Sequence, residues 1–266
     1  MKPFLVLIQA RTGSSRLPGK VMMPLLGKTV LERMWERVTA ARVPAQFGMI
    51  ITQEASDDPI AELCEDLRIL CYRGSTQDVL DRHYQAWRLW GGQAVVKIPS
   101  DCPLIDPKII ERVLNFYTEH VGQFDYVSNL HPQSYPDGND VEVMSAGALE
   151  RAWKEAKEPF QREHTTPYLW DNPAQFRIGN VLAETGDDLS QSHRWTLDYL
   201  EDYKLIKAVF EELYPHDPLF GVEAIVNLVD SRPELKALND QHRGYIWYNQ
   251  HKEQLKTLIK EMRQTT

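Results

Sequence analysis

The stretch Gln9-Ala-Arg-Thr-Gly-Ser-Ser-Arg-Leu-Pro-Gly-Lys20 follows directly on the apolar run at residues 4–8. It mixes the small residues Ala10, Gly13 and Ser14 with the cations Arg11, Arg16 and Lys20. Small residues let backbone N–H groups close around phosphate oxygens, and fixed cations neutralise the phosphate charge. The stretch is not a Walker A loop, because Gly13 and Gly19 are six apart and Val21 follows the lysine. It lacks G-x-G-x-x-G as well, which disfavours a dinucleotide fold. A second chemical segment is Ser100-Asp-Cys-Pro-Leu-Ile-Asp106. A carboxylate at Asp101, just past another apolar run, could hold Mg²⁺ bridged to phosphate oxygens, since Mg²⁺ takes one or two carboxylates plus water and substrate. Asp106, ahead of Pro107, reads as a helix cap rather than a ligand.

These residues need a frame that brings them to one edge. Residues 4–8, 48–52, 68–72 and 94–98 read as buried strands. Thr29-x-x-Glu32 is a capping box ahead of Val30, Leu31, Met34, Trp35 and Val38, which share a helix face. Asp58-Pro59 and Asp106-Pro107 place proline at a helix start. Ser75 is the expected cap of a helix carrying Val79, Leu80, His83, Tyr84 and Trp87, stopped by Gly91-Gly92. Such alternation predicts a parallel sheet covered by helices on both faces, with ligands beyond the strand C-termini. The loops after Ile8 and Ile98 are therefore where chemistry belongs. Further on, residues 125–129, 141–144, 176–182 and 195–197 read as strands, and 145–157 and 200–214 as helices. Beyond Pro233 the pattern is helical and polar, an appendage expected on the outside. Trp87, Trp90, Trp153 and Trp170 are expected in the core or a subunit interface.

Of the 266 residues, 42% are hydrophobic and 26% charged, an ordinary globular balance. No apolar run approaches the ~18 residues of a membrane span, and the first run is too short for a signal peptide. A net charge of -8 argues against nucleic-acid or anionic-membrane partners. Residues 1–42, however, carry a net +6, which suits a small polyanion. Within that stretch Arg33, Arg37 and Arg42 are expected on a solvated helix face. Cys64, Cys71 and Cys102 form no CxxC pair, which fits a reduced, cytoplasmic setting.

The first loop resembles the signature of the CMP-sugar synthetases, the cytidylyltransferases that activate KDO and nonulosonic acids, and most closely their SpsF-like branch. Further motifs occur in the family's order: Asp57-Asp-Pro-Ile60, Tyr72-Arg-Gly-Ser75 with Asp78-Val-Leu-Asp-Arg82, the Asp101 segment, Asp125-Tyr-Val-Ser-Asn129, Pro136-Asp-Gly-Asn-Asp-Val-Glu-Val143, Arg162-Glu-His-Thr-Thr-Pro167 and His193-Arg-Trp-Thr-Leu-Asp198. The resemblance implies an α/β fold with a Rossmann-like, mostly parallel sheet flanked by helices, of the nucleotide-diphospho-sugar transferase type. It implies a nucleotidyltransferase domain over residues 1–230, with an acceptor and dimerisation subregion at 130–185 and a helical extension at 231–266.

By the same resemblance, Arg11 and Lys20 hold the triphosphate of CTP, with Arg16 in support, and Asp101 and Asp198 hold Mg²⁺. Gln9, Ala10, Gly13 and Ser14 line the nucleotide, and Arg73, Gly74, Ser75 and Asp78 lie at its base. Asp137, Asp140, Glu142, Arg162, His164 and Arg194 match the acceptor region, with Arg162 and Arg194 as clamps for an acceptor carboxylate. His164 could be a base, a hydrogen-bond donor or a structural residue. The sequence departs from the family pattern at Ser100, where glycine is usual, and at Asp198-Tyr-Leu-Glu-Asp-Tyr203, where the pattern reads Asp-Thr-Pro-Glu-Asp-Leu. The expected activity is transfer of CMP from CTP to an acidic sugar with release of pyrophosphate, in a cytoplasmic homodimer. Alternatives are the same chemistry on a sugar phosphate or phosphonate, a nucleotide-sugar glycosyltransferase, and a non-catalytic nucleotide binder. A glycosyltransferase would favour an Asp-x-Asp motif, which this sequence lacks.

Overall fold

The structure is a computed structural model, and it describes residues 3–244, 251 and 253–255. In chain order the strands are β1 (Phe4–Gln9), a small hairpin of β2 (Pro24–Leu25) and β3 (Lys28–Thr29), β4 (Ala45–Thr52), β5 (Leu70–Gly74), β6 (Ala94–Pro99), β7 (Tyr126–Ser128), β8 (Glu142–Ser145) and β9 (Ile178–Asn180). Seven of them form one sheet in the order β5-β4-β1-β6-β8-β7-β9. β8 alone runs against its neighbours, so the sheet is mostly parallel.

The helices α1 (Val30–Thr39), α2 (Asp58–Asp66), α3 (Val79–Trp90), α4 (Pro107–Glu119) and α5 (Ala146–Glu155) cover the two faces. Successive strand residues point to opposite faces, and β1 shows it directly. Phe4, Val6 and Ile8 pack with Met34 of α1, Ile60 of α2 and Val113 of α4, whereas Leu5 and Leu7 pack with Leu80 of α3 and Leu149 of α5. Burial on both sides explains why the strands read as continuous apolar runs. Two short helices follow, α6 (Pro159–His164) and α7 (Pro167–Trp170); then come α8 (Leu200–Leu213), α9 (Val222–Ser231) and α10 (Pro233–Lys236). A third apolar cluster joins α8 and α9 to Leu25, Leu104, Trp195 and Leu197 beside the first loop.

Local signals largely hold. Thr29 and Glu32 form the capping box, and Asp106 caps α4. Several expectations need correction. Asp78 rather than Ser75 caps α3; Ser75 Oγ instead accepts from the Asp78 N–H, one turn earlier. Residues 195–197 are irregular, their backbone held by bonds to Asp101 and Asp137 rather than by a strand neighbour. Arg33 and Arg37 are not solvated. Arg37 is 1% exposed, donates to the carbonyls of Ile105 (2.9 Å) and Phe220 (2.6 Å), and lies over the Phe220 ring. Arg33 donates to Leu25 O and to the Tyr214 hydroxyl. Both tie α1 to other segments through carbonyls, while Arg42 is exposed as expected. The C-terminal extension is not external either, because Leu235, Asn239 and Leu255 are buried. Its remaining residues 245–250, 252 and 256–266 lie outside the described residues.

Candidate active site

The loop after β1 and the loop after β6 meet at the sheet's C-terminal edge, where Ser100 N–H donates to Gln9 O. Asp57, 1% exposed, ties the first loop down. Its Oδ1 accepts from both N and Oγ1 of Thr12, each at 2.7 Å, and its Oδ2 from N and Oγ1 of Thr52 at 3.1 and 2.6 Å. Burial pushes this carboxyl up, but those four bonds outweigh it and leave the group below its ordinary range. Gly19 then turns the chain in the left-handed region (φ 69°), so that Lys20 points inward.

Lys20 is 8% exposed. Its Nζ donates to Leu197 O at 2.5 Å and to Asp198 Oδ1 at 3.0 Å, and lies 3.6 Å from Asp101 Oδ2. Asp198 also accepts from Arg16 at 2.6 Å and from Arg194 at 3.0 Å. Burial opposes its ionisation, but Lys20, Arg16 and Arg194 outweigh that and hold it at about 2. Two carboxylates from distant segments thus converge on one ammonium group. Carboxylate oxygens are the hard donors that a divalent cation takes together with phosphate and water, and here it would share Asp198 with the cations already on both its oxygens. Among the described residues no group of three or more His, Cys, Asp or Glu is set to hold a metal by itself, so substrate oxygens would have to contribute.

A cavity of about 350 Å³ opens over this point. Gln9, Ala10, Arg11, Ser14, Arg16, Lys20 and Asp101 form one wall; Lys97, His131, Asp137, Asp140, Glu142, His164, Trp170 and Arg194 form the other. The second wall arises from register: β6 and β8 pair Lys97 with Glu142, and the two side chains form a buried ion pair. Asp137 is carried by a turn pressed against residues 193–196, where Gly138 (φ 105°) is required, since a Cβ would lie 2.8 Å from the Thr196 nitrogen. Burial raises Asp137 to about 7 against the pull of Arg194, with Asp101 and Asp198 adding to the rise. Burial lowers His164 to about 3, helped by Lys97 and His251, so it is neutral at ordinary pH. Trp170 belongs to this wall rather than to the core alone, its ring 3.9 Å from that of His131.

Several residues expected at the site are placed elsewhere. Gly13, Arg73, Gly74, Ser75 and Asp78 do not line the cavity. Arg73 pairs with Asp58 at 2.7 Å and donates to Thr52 O. Arg162 donates to Asp78 at 2.6 and 2.7 Å and to Trp153 O at 2.8 Å, which takes it out of reach as an acceptor clamp. Arg194 does reach the cavity, but its guanidinium is shared among Asp137, Asp198 and Asp202.

Several cavity residues, Lys97, His131 and Arg82 among them, carry no role in the sequence reading. Arg82 of α3 is 2% exposed; among the described residues its Nε has no partner, and its guanidinium makes a long 3.4 Å hydrogen bond to Ile50 O. Burial and the nearby Arg11 lower it to about 10, still charged. Gly74 makes room for it, as a Cβ there would lie 2.8 Å from the Arg82 stem. The signal was present in Asp78-Val-Leu-Asp-Arg82, where helical spacing puts Val79 and Arg82 on one face.

A mostly parallel sheet with a cationic loop and two carboxylates at its C-terminal edge defines a nucleotidyltransferase site. Residues 5–254 match the family model of the cytidylyltransferases, and the chain belongs to that family of CTP-dependent enzymes. It is 28% identical over 239 residues to the spore coat polysaccharide biosynthesis protein SpsF of Bacillus subtilis, covering 88% of this chain and 97% of that one. It is 32% identical over 241 residues to an 8-amino-3,8-dideoxy-manno-octulosonate cytidylyltransferase of a Shewanella species, covering 86% and 94%. Among solved structures, a cytidylyltransferase from Leptospira borgpetersenii superposes with a TM-score of 0.83 at 28% identity, covering 88% and 97%. The SpsF-like resemblance and the fold expected from it are borne out. No helix among the described residues is long and apolar enough to cross a membrane.

Proposed function

We propose that this chain transfers CMP from CTP to the anomeric hydroxyl of an acidic, KDO- or nonulosonic-acid-like sugar in surface glycan biosynthesis. The hydroxyl oxygen bonds to the α-phosphorus and gives its proton to water, the bond from that phosphorus to the oxygen shared with the β-phosphate breaks, and pyrophosphate leaves with the electron pair. The observation that carries this reading is Lys20 Nζ held between Asp198 and Asp101 at the floor of a cationic loop. Phosphoryl chemistry rests mainly on positioning and charge stabilisation, which fixed cations provide. Arg11, Arg16 and Lys20 offset the phosphate charge, and Arg82 adds a preset cation beneath them. Asp101 and Asp198 would hold Mg²⁺, which when bound draws charge from the phosphate oxygens. The acceptor lies against Lys97, Asp137, Asp140, Glu142 and His164, opposite the phosphates.

The names of the SpsF and octulosonate relatives support the acceptor class. By the family resemblance we also infer a homodimer, for which the mass in solution is the check. Three free cysteines suit a reducing cytoplasm. The deciding experiment is pyrophosphate release with Mg²⁺, each of the four nucleoside triphosphates, and a panel of KDO-like and nine-carbon keto acids. Release with CTP and one acid is expected. Silence across the panel, with cleavage of a nucleotide sugar instead, would overturn the reading.

A further inference from the structure

The C-terminal extension reaches the site from behind. The 3-10 turn Ala237–His242 delivers Asn239, which is 2% exposed and does not line the cavity. Its Nδ2 donates to Arg194 O and to Asp202 Oδ1, both at 2.9 Å. Asp202 is fully buried and is the hub beneath Asp198. Its Oδ2 accepts the backbone N–H groups of Asp198 and Tyr199, each at 2.9 Å, and its two oxygens take Arg194 Nε and Nη2 at 3.1 and 3.2 Å. Arg194 then donates to Asp198 Oδ2. Asn239 therefore holds both the main chain of Arg194 and the carboxylate that orients Arg194 and Asp198.

An amide suits this place. One nitrogen with two N–H donors meets a carbonyl and a carboxylate at once and adds no charge. Aspartate would bring a second carboxylate against Asp202, and leucine would leave the Arg194 carbonyl unmet and take one of its donors from Asp202.

We infer that Asn239 is a positioning residue for nucleotidyl transfer, setting through Asp202 and Arg194 the orientation in which Asp198 meets the metal and the phosphates of CTP. The inference rests on the reading of Asp198 given above. Groups that orient ligands from behind typically change metal affinity by roughly 10–100-fold when removed.

The test uses the full chain with Asn239→Leu and Asn239→Ser, the latter keeping one donor and serving if the former does not fold. Two readouts are compared with wild type: CTP-dependent pyrophosphate release, and Mn²⁺ binding to the CTP complex followed by water-proton relaxation. The expected result for Asn239→Leu is a kcat lower by roughly ten-fold and an Mn²⁺ dissociation constant higher by a similar factor, with KM for CTP changed less than about three-fold. Asn239→Ser should fall between it and wild type. A lowered melting temperature with wild-type kcat and Mn²⁺ affinity in the folded protein would mean that Asn239 only supports the fold, and would overturn the inference alone. A wild-type protein with no metal-dependent turnover of CTP would overturn the reading of Asp198, and this inference with it.

Discussion

Asp57 grips Thr12 by both its backbone N–H and its hydroxyl, each at 2.7 Å, across 45 residues of sequence. The other carboxylate oxygen holds Thr52 at the end of β4, so the phosphate-side loop is pinned to the strand beside it. A loop rich in glycine and serine would otherwise have to be ordered when the nucleotide binds, at a cost in affinity.

Asp57→Asn should therefore weaken both fold and binding. It turns an amide N–H₂ toward donors that need an acceptor, at a cost on the order of 2–3 kcal/mol of stability. KM for CTP should rise roughly ten-fold, as kinetics would show. The pH dependence has a definite sign. Because the folded carboxyl titrates below its ordinary range, its stabilisation is complete above about pH 4 and is lost as pH falls further. Chemical denaturation should show the wild-type advantage over the variant shrinking in acid.

Arg82 offers a case in which stability and function part. Its buried guanidinium has an Nε with no partner among the described residues and stands near Arg11. Arg82→Met keeps the stem and removes a poorly partnered charge, so the melting temperature should hold or rise by a few degrees. KM for CTP should increase roughly ten-fold or more if the guanidinium is reserved for the nucleotide. A lower melting temperature with unchanged KM would make Arg82 a structural residue.

Arg194 should behave as a scaffold. Arg194→Ala leaves the fully buried Asp202 without its cation, which costs roughly 3–5 kcal/mol. Denaturant melts should show this before any assay does. A dedicated carboxylate clamp would instead raise the acceptor KM at near wild-type stability.

The parallel core, the capping box and the two chemical loops were legible in the sequence because each rests on local signals: an apolar run, a cap three residues from its partner, small residues mixed with cations. What escaped depends on contacts between distant segments. Arg33 and Arg37 look like surface charges on α1, but they are buried against carbonyls, and a carbonyl has no residue signature. Arg194 lines the cavity and Arg162 does not, because each is held by a distant partner, Asp137 and Asp78, which lie 57 and 84 residues away. Charge type alone could not show that one guanidinium braces α3 while the other gathers carboxylates. Asn239 was hidden for the same reason, a single polar residue in a polar tail whose partners are Arg194 and Asp202.

The most direct test of the account is the turnover of Lys20→Ala and Asp101→Asn, measured as pyrophosphate release from CTP with a competent acceptor. Lys20 and Asp101 sit at the point where cationic loop and metal-side carboxylates meet. Each variant should lose roughly 10²–10³-fold or more in kcat, while circular dichroism and melting show an intact fold. Near-normal turnover in either well-folded variant would contradict the assignment of the site.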